Sequence, residues 1–388
     1  MKIKFLFFGF FFSILSFGQV NIEYASIDKK IAAIPGNLTT STDGIAAYIN
    51  DNFKSESDKI RAVFYWTASN ISYDLKNAFS LNSNQTATEK IEKALKTKKG
   101  VCIHYAEVFN SISNKVGIKS LIIEGYTKQN GKTAPLPHAW CAANIDNKWY
   151  VFDPTWGSGY LNNGAFAKKI NNYYFKAEPS KIISSHIAFD YLWQFLNYPI
   201  TNQEFYEGKV QVNKSKKYFD FDAELKRQDS LSDIERVSES IKRIEANGIK
   251  NKMIYDYMTS KRKELEIHNQ NKNIEKLNSI ATEYNQAIVL LNDFINYRNK
   301  KFKPTLPDYE ILQMIQRPKD AFAKCRKDII KVGFVGFENE SNLRSIKKSI
   351  NEALAQAEEY ELFVKDYLSK SKLVRKTMFT KFHGSEFH

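Results

Sequence analysis

Apolar residues recur at intervals of three and four along two stretches near the start of the chain, which predicts helices over 42–53 and 55–70. Ile60, Val63, Phe64 and Ala68 share one face of the second, and Ser55 with Asp58 three residues on forms a capping-box-like start. The segment Asn70-Ile71-Ser72-Tyr73-Asp74 breaks the helical period, residues 80–88 are polar enough for an exposed loop, and a helix is expected over 87–95. Val101, Tyr105, Val108, Phe109, Ile112 and Val116 return to helical spacing, with Gly117 as the stop. The period then changes from helical to alternating. A strand over 119–126 leads into a turn-rich segment through Asn130-Gly131, Pro135 and Pro137, and two further strands follow, joined by a turn at Asp146-Asn147. A helix feeding a short antiparallel sheet is an α+β arrangement.

From about Lys214 the pattern is helical again, rich in Lys, Glu, Ile and Asn and poor in glycine and proline. Helices are expected over 222–246, 250–297 (with a break near 269–273), 308–332 and 341–369. Leu277, Ile280, Tyr284, Ile288 and Leu291 keep the spacing of a helix packed in a bundle or hairpin. These patterns divide the chain into a leader over 1–18, an α+β domain over 19–213 and a helical domain over 214–388.

Composition changes this picture in three ways. Residues 5–17 are almost unbroken apolar sequence behind Lys2 and Lys4, with Ser16 and Gly18 placed for cleavage before Gln19. The run is short for a bilayer, so an exported protein, periplasmic or extracellular, with no stable membrane span after cleavage is expected; a retained anchor is the alternative. The three cysteines, Cys102, Cys141 and Cys325, leave at least one unpaired thiol and exclude a disulfide scaffold. The formal charge of +14 falls to +12 without Lys2 and Lys4, a basic surface suited to an anionic envelope component. Phosphate-binding glycine loops, zinc-ligand clusters and nucleic-acid motifs are absent from the sequence, so it calls for no cofactor, metal or nucleic acid.

The candidate chemistry lies in Cys102, His138 and Asp153. Cys102 follows Gly100-Val101 at the start of a helical pattern, where free amide hydrogens and the helix dipole favour a thiolate. With the hairpin turning at Asp146-Asn147, Ile145 opposes Lys148 and Trp140 comes opposite Asp153. His138 then shares that face on the diagonal. Asp153 can hold one imidazole nitrogen and leave the other for the Cys102 thiol, the division of labour between nucleophile, base and orienter. Cys141 points to the other face as a small core residue, and Cys325 reads as packing. His104 and Glu107 read as structural or solvated positions.

The stretches Lys99-Gly100-Val101-Cys102 with Tyr105-Ala106, His138-Ala139-Trp140 and Trp149 to Trp156 resemble the transglutaminase-like superfamily, in particular its bacterial, cytokinesis-associated and kyphoscoliosis-peptidase-like members. Arg61 to Trp66 and Asn70 to Asp74 are similar to the helix and extended segment upstream of the cysteine in such proteins, and the likeness covers roughly residues 40–206. It implies a papain-like core with the nucleophile helix packed on an antiparallel sheet, and Cys102, His138 and Asp153 as a catalytic triad. Trp66, Asn70, Tyr73 and Trp140 become candidates for substrate binding, with Trp66 also suited to simple packing. His104 departs from the small residue found after the cysteine in many relatives, and Ser185-His186 resembles the closing segment of the domain, with His186 structural. Calcium control is not implied. The activity implied is that of a cysteine peptidase or amidase working on a protein or peptide substrate through a thioester. A crosslinking transglutaminase is the alternative, and a non-catalytic envelope scaffold a third reading.

Overall fold

The computed structural model describes residues 22–78 and 85–380. The expected leader at 1–18 lies outside these residues, as does most of the polar loop expected over 80–88. Among the described residues no helix is long and apolar enough to cross a membrane. The chain divides into two compact units, Met1–Ser260 and Lys261–His388.

In the first unit α1 (Ala25–Ala32), α2 (Thr42–Asn52) and α3 (Glu56–Asn70) precede a two-residue strand, β1 (Ser72–Tyr73). Ser55 caps α3 by accepting the Asp58 N–H at 3.1 Å. After α4 (Ala87–Thr97), the short β2 (Lys99–Gly100) runs parallel to β1, with Tyr73 beside Gly100. Helix α5 (Cys102–Lys115) follows at once, its apolar positions Tyr105, Val108, Phe109 and Ile112 fully buried. The segment carrying Tyr73 is therefore locked beside Lys99 and Gly100, one residue short of the cysteine.

The sheet is built from β3 (Ser120–Gln129), β4 (Lys132–Thr133), β5 (His138–Ile145), β6 (Lys148–Phe152) and, later in the chain, β9 (His186–Ala188). Its order is β4-β3-β5-β6 with β9 added against β3, all pairs antiparallel. Ile145 pairs with Lys148 and Cys141 with Phe152, the register expected from the hairpin; Asp146 and Asn147 take positive φ at the turn. One face, with Ala139, Cys141, Ala143 and Phe152, packs on α5 in the main core. The other carries Trp140, Ala142, Trp149 and Val151 into a second core. Alternation along β5 thus splits one strand between two cores.

Between β6 and β9 lies a hairpin absent from the sequence reading, β7 (Gly159–Asn162) with β8 (Ala165–Lys168), turning at Asn163-Gly164. Helix α6 (Pro179–Ile182) precedes β9, and after that strand come α7 (Asn202–Glu207), α8 (Phe221–Asp229) and α9 (Asp233–Ala246). The helix expected over 222–246 is thus two helices. Ser232 starts a new one by bonding reciprocally with Glu235, a capping box inside the predicted run.

The first unit extends beyond residue 213, the boundary expected from composition, because α8 and α9 are tied back to it. Arg243 donates to both carboxylate oxygens of Asp190, at 2.7 and 2.8 Å, and to Glu224 at 3.1 Å, with Asp190 buried. Helix α10 (Lys252–Asn299) is continuous through the break expected near 269–273, since it contains neither glycine nor proline. In the second unit the later part of α10, α11 (Asp308–Ile329) and α12 (Glu340–Ser369) bury Phe294, Ile315, Phe322, Ile350 and Leu354 between them. Cys325 lies in this helical core, fully buried.

Arg243→Ala leaves the Asp190 carboxylate buried without its cation. The expected loss is about 3–5 kcal/mol of stability, read from urea unfolding of the full chain.

Candidate functional site

Cys102 is the first residue of α5, His138 the first of β5, and Asp153 the residue after β6. The three come together where the N-terminus of the buried helix meets the ends of two paired strands. His138 Nε2 donates to Asp153 Oδ2 at 2.7 Å, and the Cys102 thiol acts on the same ring, helping to raise its pKa. With Nε2 committed to the carboxylate, Nδ1 is the nitrogen left for the thiol.

Asp153 is the centre of the site. Its Oδ1 accepts the backbone N–H groups of Thr155 and Trp156 at 2.8 and 3.0 Å, a tight turn that fixes the carboxylate just past the strand. Its Oδ2 accepts from His138 and also from His186 Nε2 at 3.0 Å. Burial alone would drive this carboxyl toward its neutral form. The charge and hydrogen bonds of His138, then those of His186, reverse this and hold it far below the usual carboxylate range.

The two imidazoles take opposite protonation preferences around this one oxygen. At His138 burial is the largest influence and opposes the charged ring; the Asp153 charge and hydrogen bond, with those of Cys102, outweigh it and push the pKa up to about 10. At His186 burial dominates, aided by the positive charge of His138, and lowers the pKa despite the Asp153 bond. His186 is therefore neutral, Nε2–H toward Asp153 and Nδ1 toward the Ser185 hydroxyl at 2.8 Å.

Aromatic rings box the pair. Trp140 stacks along His138, ring centres 6.0 Å apart, and meets His186 edge-on at 5.2 Å. Trp156 approaches His186 at 4.8 Å and His138 at 5.8 Å. Strand β9 can deliver His186 here because Gly125 of β3 has no side chain: a Cβ would lie 2.1 Å from the Ile187 carbonyl and 2.6 Å from the Trp140 ring.

Beside His138 opens a cavity of about 510 Å³. Its walls include Tyr73, Trp156, Phe166, Tyr160, Tyr174 and Gln129, and among the described residues no lysine, arginine or carboxylate lines it. Tyr73 has its pKa pushed up to about 12, first by burial and then by the negative charge of Cys102 and Asp153, so its hydroxyl stays protonated near the thiol. The far wall is the β7–β8 hairpin, held by Lys168, whose ammonium donates to the carbonyls of Ser69, Ile71 and Ala68 at 2.6, 2.7 and 3.2 Å. That bond set also caps the end of α3 just before Tyr73.

Of the four residues expected to bind substrate, Tyr73 lines this cavity and the others do not. Trp66 is buried in α3 among the main core, as the packing alternative had it. Asn70 turns its amide to the Trp66 carbonyl at 2.9 Å, and Trp140 lies beneath the imidazoles. Cys141 is buried on the α5 side, its thiol directed to the Ala106 carbonyl at 3.4 Å, and Glu107 faces Lys90 at 3.8 Å. The sequence reading missed His186 as a partner of Asp153, and Trp156, Tyr160 and Phe166 as cleft walls. The Asn163-Gly164 pair was the signal for the hairpin; nothing local marks His186, which arrives through strand pairing.

His138, Asp153 and His186 are also the group of described residues with metal-ligand spacing, their ligand atoms all within 4.8 Å. Both imidazoles spend Nε2 on the same carboxylate oxygen, so an ion could enter only by breaking both bonds.

His138 carries the linkage to pH. Its folded pKa of about 10 exceeds the ordinary 6.5, so its contribution to stability is full below about 6.5 and is lost as pH rises through about 10. Urea midpoints of the wild-type chain should therefore fall between these values more than those of His138→Ala. NMR at pH 8 should show His138 charged and His186 neutral.

Comparison with known proteins gives the following. The family model described as "Transglutaminase-like superfamily" matches residues 43–154. Kyphoscoliosis peptidase of Mus musculus is 28% identical over 46% of this chain and 28% of its own length; that of Homo sapiens is 27% identical over 44% and 27%. The match spans little more than a quarter of these curated relatives. A solved TGase crystal structure aligns at 18% identity over 40% of this chain and 38% of the other, with a TM-score of 0.24. The segment that the transglutaminase-like superfamily model matches, residues 43–154, is the one that carries Cys102, His138 and Asp153.

Proposed function

We propose that this protein is an exported thiol acyl-transfer enzyme, a cysteine peptidase or amidase in which Cys102 is the nucleophile, His138 the acid and base, and Asp153 the residue that orients and charges the imidazole. One observation carries the reading: a single ring, His138, is held by a buried carboxylate at 2.7 Å and is acted on by the Cys102 thiol at the helix start, which raises its pKa. The Cys102 sulfur attacks the amide carbon, and the oxygen gathers charge near the Cys102 backbone N–H. The His138 imidazolium gives its Nδ1 proton to the leaving nitrogen, the C–N bond breaks, and a thioester remains. Water then loses a proton to Nδ1 as it attacks, releasing the carboxylic acid and the thiol.

Hydrolysis is favoured over crosslinking by the relatives, which are named peptidases. The cleft favours a substrate segment that is uncharged and apolar or aromatic, since Tyr73, Trp156, Tyr160, Leu161, Phe166 and Tyr174 line it. A scaffold has no use for a thiol paired with imidazole. The basic surface suits a protein substrate in an anionic envelope setting.

Under native conditions iodoacetamide should modify Cys102 well ahead of Cys141 and Cys325. Both are fully buried, and burial raises their pKa. His138→Ala should slow the Cys102 reaction at least tenfold, on the order of general-base effects; equal rates for all three thiols would sink the activated site. Incubation with a peptide library, read by mass spectrometry, should show cleavage or deamidation next to large apolar residues, weakened in Phe166→Ala. Joined peptides with loss of ammonia would instead establish crosslinking, and no product at all would favour the scaffold.

A further inference from the structure

The imidazole of His104 takes no part in the acid–base chemistry and lines no cavity near the site, yet it is buried two residues from the nucleophile. It occupies the third position of α5, and its Nδ1 accepts the Val101 N–H at 3.3 Å. Its own backbone N–H donates to the Val101 carbonyl at 2.9 Å. Reaching back from this position to the residue before the helix is the work of Glu or Gln in a capping box. Val101 has no side-chain oxygen to return the bond, so His104 makes the cap alone. On the other side of the same peptide the Gly100 carbonyl accepts the Asp74 N–H at 2.9 Å. The peptide unit just before the nucleophile is thus held at both its oxygen and its nitrogen. Only glycine at 100 leaves room for the ring, because a Cβ there would lie 2.6 Å from His104 Cβ.

We propose that His104 is a positioning residue for Cys102: by taking up the Val101 N–H it fixes the strand-to-helix joint and leaves the Cys102 N–H as the donor that meets the acyl oxygen. This rests on the reading of Cys102 as nucleophile. The first N–H groups of a helix have no acceptor within it, so which of them is occupied decides which is offered to substrate. A histidine suits this place for an electrostatic reason. A glutamate cap would set a negative charge beside the thiolate and disfavour it, whereas a neutral imidazole caps without charge.

The surroundings keep the ring neutral. Burial acts first, then Lys93 and Lys90 of α4, against Asp74 and the Val101 bond, and the net effect lowers its pKa. Nδ1 can then accept while Nε2 holds the proton. Among the described residues its buried Nε2 has no hydrogen-bond partner, and the ring's polar contact is with the backbone ahead of the cysteine.

The test is the iodoacetamide rate at Cys102 against pH in the full chain, for wild type and for His104→Leu, His104→Gln and His104→Glu, with His138→Ala alongside. His104→Leu should slow the reaction about fivefold or more, the factor that a lost cap corresponds to. His104→Gln, a neutral acceptor, should restore it to within about twofold, and His104→Glu should move the pH profile upward. A merely structural residue would lower the melting temperature and leave the profile in place. Wild-type rate and profile in His104→Leu would overturn the proposal while slow reaction in His138→Ala leaves the nucleophile reading standing; unchanged rates in His138→Ala as well would remove that reading. Should His104→Leu fail to fold, the Gln and Glu variants decide, and identical pH profiles for the two would overturn it.

Discussion

A single buried carboxylate organises the first unit of this molecule. Asp153 sits past the end of a strand with one oxygen pinned by two backbone N–H groups and the other shared by two imidazoles. A buried charge without partners is costly, so every element that supplies one of these four donors is held in place by the same requirement. The β5–β6 hairpin brings His138, the turn after β6 brings Thr155 and Trp156, and β9 brings His186. The sheet order, with β9 added against β3, is the topology that lets the fourth donor arrive.

The consequence is a graded proton system in a small space. One imidazole is stabilised as a cation by carboxylate and thiol; the other, fully buried, stays neutral and acts as a fixed donor. The two share Trp140 and Trp156 as walls, so water has little access to the pair, and the apolar cleft begins where those walls end. The helix start adds its own order, since the parallel pairing of Tyr73 with Gly100 and the His104 cap hold the residues leading into Cys102.

Much of this was legible in the sequence because its causes are local. Helical period and a glycine before Cys102 put the thiol at a helix start, and the Asp146-Asn147 turn fixed a register in which His138 and Asp153 share a face. Other local signals were present and overlooked, such as the Ser232–Glu235 capping box that divides the run over 222–246, and the Asn163-Gly164 turn of the cleft hairpin. Trp66 shows the opposite limit: a tryptophan near a site in sequence packed into the core instead, because α3 turns that face inward.

By itself the sequence determined the period of each element, the turn that sets the hairpin and the three residue types that suit acyl transfer, since each depends on neighbours a few positions apart. Tertiary structure alone decided what depends on distant segments meeting. His186 reaches Asp153 only when β9 pairs with β3, the aromatic cleft exists only once the β7–β8 hairpin is tethered by Lys168 to the end of α3, and α8 and α9 join the first unit through the Arg243–Asp190 pair together with Phe221, Leu225 and the Lys119–Asp229 pair. Burial and partner charge set the protonation of a side chain, and neither is written in the residues beside it.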